Sequence, residues 1–189
     1  MDIGTAQLPA EGETVCGDAF RIIQRDKRYL FVVVDGLGHG PHAATAANAF
    51  CEYVETHPDE QLDMMLHGAD RAVSSTRGAA AMIARVDVRT ATIDIAGVGN
   101  VAMRAWSKER FQPLPMRGVL GRGIRNVRVF RYNVAPGDLF SLYSDGISAN
   151  FDIDTIKHQS ATNIAQYILA GHRKSHDDAT CVVARYLGA

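Results

Sequence analysis

The most informative part of the sequence is Phe31-Val32-Val33-Val34-Asp35-Gly36-Leu37-Gly38-His39-Gly40. Its four leading apolar residues, three of them β-branched, predict a buried strand. A carboxylate at the end of such a strand is costly to desolvate unless a cation or hydrogen-bond donors meet it. The glycines that follow let backbone atoms approach a ligand closely. We therefore expect Asp35 to be the centre of a divalent-metal site.

Composition excludes several classes of protein. The chain has 189 residues, 47% hydrophobic and 22% charged, so we expect one globular domain over residues 1–189. A formal net charge of −1 argues against nucleic-acid binding by bulk electrostatics. Neither an apolar run of membrane-spanning length nor a signal-peptide pattern is present, and the three cysteines are odd in number and widely separated. These features predict a cytoplasmic protein that makes no membrane contact.

The residues before Asp35 predict a β-hairpin. Asp18 lies near the start of one arm, and the other arm covers residues 29–34 after a polar turn. Antiparallel partners bring the first residue of one arm beside the last residue of the other. The hairpin would therefore place Asp18 next to Asp35.

The remaining periodicities predict three helices and seven more strands. One helix opens at Pro41, a second has Pro58, Asp59 and Glu60 as an acidic first turn, and a third covers residues 161–170 with Gly171 as its stop. The predicted strands are residues 3–8, a meander of 79–86, 92–98 and 101–106, then 127–134, 139–144 and 180–186. Because the helices do not alternate with single strands, we expect an α+β fold of antiparallel sheets with helices outside.

Acidic residues occur repeatedly where strands begin or end. Gly17-Asp18, Asp35-Gly36 and Asp145-Gly146 share one format, and Asp177-Asp178 precedes the closing strand. One Asp-Gly pair alone is ordinarily a turn, as we expect for Asp138 after Pro136-Gly137. Several together predict a site for Mg²⁺ or Mn²⁺, which prefer oxygen ligands.

Other interpretations of this region are weaker. No Gly-Lys-Ser/Thr follows the glycines, which excludes a P-loop, and their spacing matches a dinucleotide fingerprint poorly. His39 and His42 are either proton donors or hydrogen-bonding residues at a helix start, and their position favours the second. The arginines at 117, 122 and 125 either meet a phosphate or are solvated, and the second is commoner for exposed arginine.

Taken together, six motifs resemble those of the PPM/PP2C-type metal-dependent serine/threonine phosphatases, in particular the bacterial SpoIIE-like branch. The motifs are Gly17-Asp18-Ala19-Phe20, Val34 to Gly40, Arg77-Gly78-Ala79-Ala80-Ala81, Gly97-Val98-Gly99-Asn100, Ser144-Asp145-Gly146 and Asp177-Asp178-Ala179-Thr180. Each alone is unspecific, but the six in this order are specific, and they span nearly the whole chain.

The resemblance implies an αββα sandwich with two Mn²⁺ or Mg²⁺ ions between its sheets. It implies catalytic roles for Asp35 and Asp18, with Asp35 bridging the ions. The metal ligands that it implies are Asp18, Asp35, the Gly36 carbonyl, Asp145 and Asp177, with Asp178 in support. It places Gly38, His39, Gly99 and Asn100 near the site.

Three positions depart from the pattern of eukaryotic relatives. Leu37 stands where they carry the histidine proposed as general acid, Glu13 stands where they carry a phosphate-binding arginine, and Gly17 replaces another acid. The resemblance therefore does not identify the proton donor or the phosphate-binding residue of this chain.

The short chain, with no sensor or membrane segment, is most similar to the stressosome feedback phosphatases of this branch. This implies that a metal-bridged hydroxide attacks phosphoserine or phosphothreonine on STAS-domain proteins of the RsbS and RsbR type, resetting general stress signalling. Two alternatives stay open: a phosphatase of an RsbV-like anti-anti-sigma factor, and a metal-stabilised binding module with little turnover. The monomer is our default expectation for the oligomeric state.

Overall fold

The computed structural model describes residues 1–188, and within them the chain forms nine strands and three helices. The strands are β1 Asp2–Leu8, β2 Asp18–Arg25, β3 Arg28–Gly36, β4 Ala79–Asp87, β5 Thr92–Val98, β6 Ala102–Trp106, β7 Phe130–Asn133, β8 Leu139–Tyr143 and β9 Ala179–Arg185. The helices are α1 Pro41–Thr56, α2 Leu62–Ala72 and α3 Ala161–His172.

The strands form two sheets. One has four strands in the order β1-β9-β8-β6, and the other has five in the order β2-β3-β4-β5-β7. Every pairing between these strands is antiparallel. Helices α1 and α2 pack on the five-stranded sheet and α3 packs on the four-stranded sheet. The predicted α+β class and the αββα sandwich are confirmed.

The position of β3 between two cores explains why residues 31–34 are all apolar and do not alternate with polar residues. Phe31 and Val33 point into the core between the two sheets, where Phe140 and Val182 of the other sheet meet them. Val32 and Val34 point to the opposite face, into the core beneath α1 and α2. A strand buried on both faces needs apolar side chains at every position.

The second helix begins later than predicted. Pro58 and Asp59 form a turn, and α2 starts at Leu62 with Gln61 as its N-cap. The Asp59 carboxylate forms ion pairs with Arg25 and Arg28 across the hairpin turn, both at 3.1 Å. Asp59 thus forms tertiary ion pairs with the β2–β3 hairpin and does not begin a helix.

Three other element predictions are wrong. The meander ends after β5, because β6 crosses to the other sheet and pairs with β8. Gly171 does not stop α3, which continues through His172. Strand β7 is shorter than the predicted 127–134, covering only Phe130–Asn133.

Within residues 1–188, none of the three helices combines the length and apolar character that crossing a membrane requires.

Candidate metal centre

The hairpin of β2 and β3 positions the first two acids. Its register pairs Asp18 directly with Asp35, as predicted from the order of the two arms. Both residues lie at the end of the five-stranded sheet where the Gly36–Gly40 loop leads into α1. Two carboxylates are therefore held side by side by backbone pairing alone.

Asp18 is only 6% exposed and depends on the opposite sheet for its hydrogen bonds. The Ser144 hydroxyl donates to its Oδ2 at 2.6 Å, and Ser144 Oγ in turn accepts the Thr180 backbone N–H at 3.0 Å. Burial raises the pKa of Asp18 to about 7 despite the hydrogen bonds from Ser144 and Thr180, which favour its charged form. This carboxylate is tied to both sheets.

Asp35 is crowded by other acids. Burial is the main cause that raises its pKa to about 8, followed by the negative charges of Asp18, Asp145 and Asp177 and a hydrogen bond with Asp145. The two sheets thus bring the acids of four separate motifs to one place. Without a cation, this arrangement favours a protonated Asp35.

Asp145 follows β8 and is held from two directions. The Asn100 side-chain amide donates to Asp145 Oδ2 at 2.6 Å, and the Lys174 ammonium donates to the Asp145 backbone carbonyl at 2.6 Å. Asn100 lies beside this predicted site residue, as expected. Its neighbour Gly99 has φ +92°, and a Cβ there would overlap the Ala80 side chain.

Asp177 and Asp178 differ in environment although they are adjacent. Asp177 is partly exposed, and its pKa is raised by burial and by the charge of Asp145. Asp178 is 2% exposed, and its Oδ1 accepts the Ala10 backbone N–H at 3.0 Å. Its Oδ2 is buried with no hydrogen-bond partner in residues 1–188. Asp177 is thus accessible beside Asp145, while Asp178 anchors the β1–β2 connection.

Two glycines allow these elements to approach closely. A Cβ at Gly17 would lie 2.5 Å from Asp178 Oδ2 and 2.7 Å from Ala43 Cβ, so the acid found here in eukaryotic relatives has no room. A Cβ at Gly36 would overlap the Ala43 carbonyl of α1. Close packing therefore requires glycine on each side of the acid pair.

The loop after Gly36 is largely exposed. Gly38 has φ +89° and lies beside the Arg77 guanidinium, and Leu37 is 37% exposed. The side chain of His39 hydrogen-bonds through Nδ1 to Glu13 Oε1 at 2.6 Å. His39 thus has a carboxylate partner and makes no side-chain cap on α1.

The donor set of this cluster fits a hard divalent cation. The ion pairs formed within residues 1–188 involve neither Asp18, Asp35, Asp145 nor Asp177, although all four carboxylates are close enough to repel one another. Over the same residues, no three acidic, histidine or cysteine side chains already surround a common point as ligands. Cation binding would therefore require these side chains to move towards a common point.

Several polar residues that support the acids carry no specific signal in the sequence. Ser144 and Thr180 belong to quoted motifs, but their bonds to Asp18 join residues more than a hundred positions apart. Gln7 donates to both the Asp18 carbonyl and the Thr180 hydroxyl, at 3.1 and 3.0 Å. The only signal in the sequence for these supporting residues is a polar side chain at the end of a buried strand. Asp138 forms turn hydrogen bonds with Ala135, as predicted.

Comparisons with known proteins show which family and fold the chain shares. The phosphoserine phosphatase RsbX of Bacillus subtilis (strain 168) is 28% identical over 182 residues, covering 95% of this chain and 92% of RsbX. A crystal structure of RsbX in complex with magnesium matches with a TM-score of 0.85 and 28% identity, over 96% of this chain and 94% of that one.

A chain from a structure of the bacterial stressosome, described as a modular system adapted to control secondary messenger signalling, matches with a TM-score of 0.93. It is 30% identical and the match covers 97% of this chain and 98% of that chain. The family model for stage II sporulation protein E (SpoIIE) matches residues 25–187. Because that match covers most of the chain, the protein belongs to the SpoIIE family of PP2C-like domains.

Proposed function

We propose that the protein is a cytoplasmic, metal-dependent protein serine/threonine phosphatase that acts on phosphorylated STAS-domain stressosome proteins of the RsbS and RsbR type. The observation that carries the proposal is the gathering of Asp18, Asp35, Asp145 and Asp177, none of which forms an ion pair with another side chain of residues 1–188. The similarity to RsbX, named a phosphoserine phosphatase, and to a stressosome chain supports the activity and the substrate class.

The four carboxylates, assisted by the Gly36 carbonyl, would hold two Mg²⁺ or Mn²⁺ ions. When bound, such ions supply activation of the attacking water and neutralisation of the phosphoryl oxygens. The magnesium complex of RsbX supports this choice of metal. Asp178 keeps its place by binding the Ala10 N–H, and it supports the cluster from behind.

The surrounding polar residues orient the ligands. Ser144 fixes the orientation of the Asp18 carboxylate by donating to its Oδ2. Asn100 similarly fixes Oδ2 of Asp145. Ser144 is fully buried and committed to Asp18, so it does not serve as a nucleophile. This favours direct transfer of the phosphoryl group to water.

The test is loss of phosphate from purified phosphorylated proteins. RsbS-like, RsbR-like and RsbV-like substrates would each be incubated with the protein in Mn²⁺ and, separately, in EDTA. We expect Mn²⁺-dependent release from the RsbS-like or RsbR-like substrate and none in EDTA. Release from the RsbV-like substrate alone would reassign the partner to an anti-anti-sigma factor.

A generic phosphoester substrate distinguishes a phosphatase that has a different protein substrate from a protein that has no phosphatase activity. Hydrolysis of p-nitrophenyl phosphate with Mn²⁺, without loss of phosphate from any STAS-domain protein, would contradict the proposed substrate class. Absence of turnover on all substrates would contradict the phosphatase proposal and favour the metal-stabilised binding module.

A further inference from the structure

An open groove of about 500 Å³ lies next to the Gly36–Gly40 loop that follows β3. It runs between the first turns of α1 and the two loops that precede β4 and follow Leu120. The groove is lined by His42, Thr45, Ser75, Thr76, Arg77 and Arg122. All six lining residues have polar side chains, and two of them are arginines.

Arg77 connects the groove to the loop that begins at Asp35. The backbone N–H of Leu37 donates to the Gly78 carbonyl at 3.0 Å, which holds the two loops together. A Cβ placed on Gly38 would lie 3.0 Å from Arg77 Nη1, so the guanidinium lies directly over this glycine. Gly38 is three residues after Asp35 in the chain, so the Arg77 guanidinium lies against the loop that leaves the acid cluster.

Arg122 reaches the same groove from a loop that a buried acid holds in place. Asp70 of α2 is 7% exposed, and its carboxylate accepts the Gly121 N–H at 2.7 Å and the Ile124 N–H at 3.3 Å. These two bonds frame Arg122, whose Nη2 donates to the Arg77 backbone carbonyl at 3.2 Å. The Arg122 side chain is therefore directed back towards Arg77.

Neither guanidinium is neutralised. Among the ion pairs formed within residues 1–188, neither Arg77 nor Arg122 has an acidic partner. Arg122 uses one N–H of each Nη on the backbone carbonyls of Gly121 and Arg77, both at 3.2 Å, so its remaining N–H groups and the Arg77 guanidinium can donate to an oxyanion.

We propose that Arg77 and Arg122 together bind an oxyanion of the phosphoprotein substrate, which makes them substrate-binding residues of this phosphatase. The inference rests on the proposed function. It supplies candidates for the phosphate-binding residue that the sequence motifs did not identify. Glu13 occupies the position where eukaryotic relatives carry an arginine, and it is engaged with His39. The oxyanion is either the phosphoryl group itself or an acidic side chain close to the phosphoserine.

The test compares Arg77→Ala, Arg122→Ala and the double variant with Arg125→Ala. Arg125 is an exposed arginine of the same segment that does not line the groove, so it controls for loss of charge. Fluorescence anisotropy in EDTA would measure binding of phosphorylated and unphosphorylated RsbS-like protein. The KM and kcat for p-nitrophenyl phosphate in Mn²⁺ would be measured in parallel.

We expect the double variant to bind the phosphorylated protein at least tenfold more weakly than Arg125→Ala does. If the oxyanion is the phosphoryl group, the variants lose the preference for the phosphorylated form, and KM for p-nitrophenyl phosphate rises. If it is an acidic side chain, both protein forms bind more weakly and this KM is unchanged.

Binding by the double variant that equals that of Arg125→Ala would overturn the inference, as would wild-type protein that binds neither form. Because binding is measured without metal, it is independent of turnover. Weakened binding by the arginine variants of a chain that shows no hydrolysis would leave the inference standing and reject the proposed function.

Discussion

Asp18 and Asp35 occupy a position that is unfavourable in the absence of a ligand. They are direct partners in the register of β2 and β3, and the Asp18 charge adds to the burial that raises the pKa of Asp35 to about 8. Burying a carboxylate without a cation costs free energy, and groups with such perturbed pKa values concentrate at functional sites. At the scale of single residues, the buried acids indicate a functional site because burying them without a ligand destabilises the fold.

The Ser144 hydroxyl provides a prediction on stability. Replacing Ser144 with Ala leaves Asp18 Oδ2 and the Thr180 N–H without their buried partner. We expect the free energy of unfolding to fall by about 1–3 kcal/mol, measured by urea denaturation.

Ser141 is the matched control for this change, because it is also fully buried, lies three residues earlier, and its hydroxyl has no partner in residues 1–188. Ser141→Ala should change the free energy of unfolding by less than about 0.5 kcal/mol, or stabilise the protein. Equal effects of the two substitutions would contradict the role assigned to Ser144.

Gly17 provides a second prediction at this scale. A methyl group at this position would press against Asp178 Oδ2 and Ala43 Cβ, at 2.5 and 2.7 Å. Gly17→Ala should therefore destabilise the protein by about 1–3 kcal/mol, as overpacked sites do. Chemical denaturation measures this directly, and wild-type stability of the variant would mean that the site has room for the acid of eukaryotic relatives.

Contacts between residues could be predicted when the two residues are close in the sequence, and not when they are far apart. The pairing of Asp18 with Asp35 follows from a local hairpin, so strand order alone placed it correctly. The bond from Ser144 to Asp18 joins the two sheets across 126 positions, and no local pattern specifies it. The same limit applies to Arg77 and Arg122, whose loops meet only in the folded chain.

At the scale of elements, the existence and type of each helix and strand were predictable, but several ends and the strand partners were not. Strand β5 covers the predicted residues 92–98, because its alternation is local information. The Gly99-Asn100 pair resembles a hairpin turn, yet β6 joins the other sheet and Asn100 bonds to Asp145. Alternation of apolar residues defines a strand, and it does not define which edge the strand pairs with.

Helix α3 provides a prediction at the element scale. Gly171 lies inside its last turn, and a Cβ there would have nothing within 4 Å. Its φ is not in the left-handed region, so alanine fits the backbone. Gly171→Ala should raise the free energy of unfolding by about 0.5–1 kcal/mol. A thermal or urea melt that shows destabilisation would contradict the helical assignment of this residue.

At the scale of the whole molecule, the sandwich brings acids from both sheets to one end. Asp18 and Asp35 belong to the five-stranded sheet, while Asp145 and Asp177 adjoin β8 and β9 of the four-stranded sheet. A cation bound among them would link the two sheets and remove the repulsion between the carboxylates. Metal binding should therefore stabilise the entire fold and not only the loop.

This stabilisation can be measured by thermal unfolding. At a free Mn²⁺ concentration about 100 times the dissociation constant, binding contributes about 2.7 kcal/mol. For a chain of this size that corresponds to a rise in Tm of about 5–11 °C over the EDTA-treated protein. Asp35→Asn, which removes the central ligand, should show no such rise, and a rise equal to that of wild type would place the metal elsewhere.

The most direct test of the central claim is Mn²⁺-dependent hydrolysis of p-nitrophenyl phosphate by wild type and Asp35→Asn. Asp154→Asn is the matched control, because Asp154 is exposed and forms only a surface ion pair with Lys157. We expect kcat to fall by at least about 100-fold in Asp35→Asn, as expected when transition-state stabilisation is lost, and to stay at the wild-type level in Asp154→Asn. Undiminished turnover by Asp35→Asn at saturating Mn²⁺ would contradict the account.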